Sequence, residues 1–138
     1  LRLVQASRRY GLDDWLAAMR QRAAFSAAVN RLFEDFDLLV MPTIPVLPFP
    51  AEDDLPADQA ERDSPVAWAR WTPFTPPFNL SGHPAASLPA GWTAEGLPVG
   101  LQVVGPRFAD GRVLQFCAAV ERLLPWRDRL PPLLEQGL

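Results

Sequence analysis

The one histidine, His83, sits between two serines in Asn79-Leu80-Ser81-Gly82-His83-Pro84-Ala85-Ala86-Ser87. An imidazole within hydrogen-bond reach of Ser81 or Ser87 would make the base–nucleophile pair of serine hydrolysis. That chemistry also needs a third group to orient the ring, and the local spacing supplies none. In a Gly-Pro turn the residue reads as structural. Cys117 is the other candidate nucleophile. It falls in the stripe Val113, Cys117, Val120, Leu124, where a free thiol behaves as inert core. Asn79-Leu80-Ser81 matches a glycosylation acceptor by chance, since nothing in the chain resembles a secretory leader. Gly96, Gly100 and Gly105 lack the spacing and the following lysine of a phosphate loop, and read instead as turn and close-packing positions. Trp68, Trp71, Phe74 and Phe78 gather just before the Asn79 turn. Such aromatics either line an apolar pocket or cover the core from outside, and the pattern leaves both open.

Composition narrows these options. All thirteen basic residues are arginine, so no catalytic lysine exists within this chain. One histidine and one cysteine exclude a His-pair metal site, a Cys-based zinc site and an internal disulfide. No cofactor or metal is called for. A net charge of −3 and a pI near 5.1 argue against a nucleic-acid surface. No apolar run reaches the length of a membrane span, and a cytoplasmic location is expected. The 49% apolar content across 138 residues suffices for a buried core. Leu1 in place of Met implies a processed chain or a piece of a longer one.

The elements that must position these residues fall in three zones. Residues 11–36 carry apolar side chains at helical period, with Gly11 and Asp13 as start signals. Leu38-Leu39-Val40-Met41 then reads as a short strand buried on both faces, its ladder stopped by Pro42. Residues 44–77 form a Pro-rich acidic loop with Glu52, Asp53, Asp54, Asp58, Glu61 and Asp63, a solvated excursion that holds at most a short helix around Val66–Trp71. The third zone predicts a hairpin of Ala85–Leu88 and Val99–Val104, closed by Pro89-Ala90-Gly91 and a loop turning at Gly96. A helix over 110–124 follows, with Asp110 as N-cap and Pro125 as its stop. The tail with Pro131, Pro132 and Gly137 reads as a surface strap. This inventory is α/β or α+β. Two helices and a few strands buried on both faces are too little to cover one another, so the fold looks incomplete.

Three ordered blocks carry a resemblance. Asp37-Leu38-Leu39-Val40-Met41-Pro42-Thr43 resembles the strand ending in Pro-Thr of the amidase signature family. Phe78-Asn79-Leu80-Ser81-Gly82-His83-Pro84-Ala85 resembles its Asn-(aliphatic)-(small)-Gly-x-Pro segment. Gly96 to Pro106, followed by Asp110 and the helix through Glu121, resembles its closing strand and helix. The resemblance covers about residues 11–124 and implies the incomplete C-terminal part of an α/β/α sandwich with a mixed central sheet. It implies hydrolysis of carbon–nitrogen amide bonds by a serine, a second serine in a cis peptide and a lysine, with backbone N–H groups holding the oxyanion. None of those parts matches here: there is no lysine and no Gly-Gly-Ser-Ser-Gly-like run.

The resemblance therefore assigns this chain, residues 1–138 as one unit, to sheet strands and substrate-pocket wall, with no catalytic residue of its own. It places Thr43, Phe74, Phe78, Asn79 and Ser81 at that wall, facing a small-molecule amide in the full-length protein. The glutamine-using A subunit of tRNA amidotransferases carries an acid shortly before the Asn-Leu-Ser-Gly-like segment. Here the approach reads Trp71-Thr72-Pro73-Phe74, which suits an apolar or aryl amide better than a zwitterion, whose ammonium needs a partner once desolvated. The alternatives are that A subunit, a stand-alone binding or scaffold module, and a small serine hydrolase using His83. A homo-oligomer through an open sheet edge or apolar face is also expected.

Overall fold

A computed structural model describes residues 2–57, 66–127 and 129. Helix α1 covers Arg2–Ser7, α2 Leu12–Asp35, α3 Ala67–Arg70, α4 Pro76–Ser81 and α5 Asp110–Leu123; the strands are β1 Leu39–Pro42, β2 Ala85–Trp92 and β3 Pro98–Val104. The acidic residues Asp58, Glu61 and Asp63 and the Pro131–Gly137 strap lie outside the described residues.

The long helix starts where its signals predict. Gly11 is extended and caps α2, and its N–H donates to the Asp14 carboxylate at 2.9 Å. Asp13 and Asp14 also place negative charge at the positive helix end. At α5 the cap differs from expectation. Ala109 holds the N-cap position with no side-chain cap bond, and Asp110 is the first helical residue. There its charge favours the helix through the dipole alone. Helix α1 had no sequence signal, being six residues long, too short for a periodic pattern.

The strands form one antiparallel sheet in the order β1-β3-β2. Central β3 pairs on both sides, so Val103 and Val104 have no exposed surface. Successive β3 side chains alternate faces. Val104 joins Val29 of α2 and Phe78 of α4, with Phe25, Phe33, Leu39 and Met41 around them. Val103 joins Leu88 and Val113 of α5, with Leu101, Phe116, Cys117 and Val120 against them. Helices thus cover both faces, the layering expected of an α/β/α unit.

Two strand expectations need correction. The first strand is not buried on both faces: it lies at the sheet edge, and Val40 is 49% exposed. Its ladder also runs one residue further, because Pro42 pairs with Leu101 at an edge where a missing N–H costs little. The hairpin is longer than predicted. Strand β2 continues through Pro89-Ala90-Gly91 to Trp92, with a register shift between Pro89 and Gly91. A bulge on an edge strand is where a sheet tolerates proline. The turn itself forms as predicted, with Gly96 at φ 83° and the Thr93 N–H donating to the Leu97 carbonyl at 2.8 Å.

The Pro-rich stretch is partly built. Its short helix is α3, and Phe49 meets the Trp71 ring edge-on at 5.3 Å, tying the loop to that helix. The Asn79 segment, read as a turn, is helical. Pro76 and Pro77 open α4, a position where the missing N–H has no helical partner. Gly82, at φ 74°, ends it in the left-handed conformation, and its N–H donates to the Phe78 carbonyl at 2.8 Å.

Large apolar surfaces stay uncovered. Trp15 is 58% exposed, and Leu12, Leu16 and Met19 on α2 and Leu114 and Leu123 on α5 are also exposed.

Candidate substrate wall

The face of the sheet turned toward α2 and α4 carries the polar groups. Thr43 follows β1, and its N–H donates to the Gly100 carbonyl at 2.9 Å. Its hydroxyl lies 2.6 Å from that of Ser87 on β2, a hydrogen bond spanning central strand β3. The crossing depends on Gly100. A Cβ there would stand 2.8 Å from Thr43 Oγ1 and 3.4 Å from Ser87 Oγ. The pair borders a cavity of about 440 Å³ whose other walls include Ile44, Val46, Leu47 and Val99. Two hydroxyls carry two protons and share one between them, which leaves one O–H and free lone pairs for a ligand.

One step along β3, Gln102 is buried and its Nε2 donates to the Phe74 carbonyl at 2.9 Å. That bond fixes the half-buried Phe74 and the approach to α4. Phe78 points into the core between α2 and the sheet. Asn79 is exposed on α4 and borders a separate cavity of about 380 Å³ with His83, Phe108 and Asp110. Ser81 is buried, and its hydroxyl lies 2.8 Å from His83 Nδ1. The five predicted wall residues therefore divide. Thr43 lies at one cavity, Asn79 and Phe78 border another, Ser81 faces His83, and Phe74 is held by Gln102.

The Ser81–His83 pair forms, but without the rest of a catalytic set. His83 is 6% exposed, its ring stacks on Phe33 at 5.2 Å, and its Nε2 is buried with no hydrogen-bond partner. No acid among the described residues orients the ring, and Ser87 is committed to Thr43 instead. Burial, with the nearby Arg107 charge second, holds His83 below its ordinary pKa of 6.5. The unfolded chain therefore takes up a proton before the folded one as pH falls. Stability from neutral His83 is complete above the unfolded value and is lost as pH drops through the folded one. Thermal melts between pH 7.5 and 5 should show a falling Tm below about pH 6.5. His83→Asn should flatten that slope, and an unchanged slope would contradict the assignment.

Sequence reasoning missed Ser87, Gly100 and Gln102 as parts of this wall. The available signals were a lone glycine and a lone glutamine inside an otherwise apolar strand, marks of close approach and of a buried polar role.

The described residues make an α/β unit with helices on both sheet faces, open apolar surfaces and a polar wall, and no nucleophile–base–acid set lies among them. The family whose description is Amidase matches residues 2–114. The chain is 33% identical over 119 residues to the A subunit of glutamyl-tRNA(Gln) amidotransferase from Halothermothrix orenii, covering 86% of this chain and 23% of that protein. It superposes on 6-aminohexanoate cyclic dimer hydrolase in complex with substrate with a TM-score of 0.81 at 28% identity, covering 96% of this chain and 29% of that one. A bacterial aryl acylamidase of the amidase signature enzymes aligns with a TM-score of 0.75 at 33% identity, covering 91% and 26%. The chain belongs to the amidase signature family, and it spans about a quarter of the length of the relatives it matches.

Proposed function

We propose that this chain forms one wall of the substrate pocket in an amidase that hydrolyses carbon–nitrogen bonds of a small-molecule amide. The observation that carries this is the Thr43–Ser87 hydroxyl pair over Gly100, set beside an apolar cavity. One free O–H suits an amide carbonyl, and the apolar lining suits an alkyl or aryl group. Phe74, Phe78, Asn79 and Ser81 extend or support that wall. The nucleophile, its serine partner and the lysine base belong to polypeptide outside these residues, because no lysine occurs here. The likeness to an aryl acylamidase and the uncharged Trp71–Phe74 approach favour an aryl or apolar amide. The amidotransferase relative keeps glutamine-dependent amide transfer as the second reading.

Cytoplasmic location and a homo-oligomer belong to the same proposal. No described helix is long and apolar enough to cross a membrane. The free edge of β1 and the exposed apolar residues of α2 and α5 offer surfaces for pairing.

The test uses the full-length enzyme and an anilide substrate. Thr43→Val and Ser87→Ala should each raise KM about 5- to 10-fold, the worth of roughly one hydrogen bond, with kcat nearly unchanged. Unaltered KM in both variants would remove the pair from the substrate pocket.

A further inference from the structure

A second cavity lies away from the Thr43–Ser87 pair, where the middle of α2 meets the end of α4 and the β3–α5 connection. It measures about 430 Å³, and its lining includes Arg22, Ser26, Asn30, Ser81, Gly82 and Arg107, with no acidic residue. We propose that this cavity binds a small oxyanion, held by the Arg22 and Arg107 guanidinium groups.

Arg22, Ser26 and Asn30 follow one another at intervals of four on α2, so they form one polar column down a single helix face. Arg22 Nε donates to the Leu80 carbonyl at 2.7 Å, which fixes the guanidinium while leaving its terminal nitrogens as donors. Arg107 faces the column from the other side. It lies over Gly82, where an added Cβ would come within 3.8 Å of its Nη2. It has no hydrogen bond or ion pair among the described residues, and its guanidinium carbon stands 5.2 Å from the Phe108 ring centre. Its positive charge also reaches His83.

Arginines near a helix C-terminus often serve only to meet the last carbonyls. Arg22 does so, but Arg107 does not. The remaining arginines behave differently where an acid is at hand: Arg112 pairs with Asp37 at 2.9 Å and Arg127 with Glu121 at 3.3 Å. Two guanidinium forks flanking hydroxyl and amide donors, with no carboxylate present, match a phosphate or carboxylate group. The chemistry common to both is a compact oxyanion with several acceptor oxygens. The two arginines that carry this site lie apart from Thr43 and Ser87, and of the proposed wall residues it shares only Ser81.

Calorimetric titration of the protein with inorganic phosphate and, separately, with succinate tests the site. Saturable one-to-one binding of at least one anion is expected, weakened by added chloride. Tighter binding of phosphate would identify a phosphorylated ligand, and tighter binding of succinate a carboxylate. Arg107→Gln should weaken binding about 10-fold or more, Asn30→Ala less, and Arg107→Lys should retain part of it. Arg112→Gln, outside the cavity, should leave it unchanged. Melting curves identify any variant that fails to fold, and Arg107→Lys then decides the case, since it keeps the charge. No saturable binding of either anion up to about 10 mM, or binding insensitive to both Arg107 variants, would overturn the proposal.

Discussion

Phe78→Ala is expected to lower the unfolding free energy by about 3–5 kcal/mol, the usual cost of removing a buried phenyl ring. Phe78 is 8% exposed and packs with Val29 of α2 and Val104 of β3. Its ring is therefore the main apolar link between α4 and both the long helix and the sheet. The Phe78 carbonyl, which accepts the Gly82 and His83 N–H groups at 2.8 and 3.3 Å, stays in place in the variant. The loss is thus one of packing and cavity formation. Phe78→Leu should cost clearly less, because more of the cavity stays filled. Urea titration should show a lower midpoint with an unchanged m-value. A loss below about 1 kcal/mol would mean that the site collapses around the missing ring and that Phe78 is not a core residue.

Gly105→Ala is the second large effect, an expected destabilisation of about 1–3 kcal/mol from overpacking. Gly105 is buried just after β3, and its N–H donates to the Pro84 carbonyl at 3.0 Å. A Cβ at this position would stand 2.7 Å from Val113 Cγ2, and it would also meet the Ala109 carbonyl and Leu38 at 3.6 Å. Val113 is itself enclosed in the cluster with Leu88 and Val103. Neither the helix nor the strand can withdraw cheaply. Removing the opposing methyl identifies the cause. In a Gly105→Ala, Val113→Ala double mutant the combined loss should be smaller than the sum of the single losses, by about 0.5 kcal/mol or more. Strict additivity would place the strain elsewhere, in the backbone of residue 105.

The parts of this fold that were legible in the sequence are those in which local pattern and tertiary need agree. The stripe of α2 and its Gly11–Asp14 start, the Gly96 turn and the apolar run of β3 each carry their own signal. Strand position was not legible. Leu38–Met41 is as apolar as a central strand, yet β1 lies at the edge, because the described residues supply no further strand to pair with it. Pro89 read as a stop because proline interrupts a central ladder, and only the edge position of β2 removes that objection. Asn79 read as a turn residue, whereas Pro76 and Pro77 upstream set the first turn of α4.

The candidate site was legible by residue type but not by pairing. Ser87 was weighed as a partner for His83, four positions away. It pairs instead with Thr43, 44 positions away, across a glycine whose lack of a side chain makes the contact possible. Such a contact depends on sheet register, which no local pattern specifies. The Ser81–His83 bond, by contrast, arises within one turn and could be anticipated from spacing alone.

If these residues wall the pocket of a larger amidase, the nucleophile and base must lie in other parts of the same polypeptide. The quantity that decides this is the intact mass of the polypeptide that carries this sequence in its source cells. A mass several times 15.3 kDa is expected, in a protein that contains lysine and hydrolyses an amide. A mass near 15.3 kDa would refute the amidase wall and leave a module that binds without catalysing.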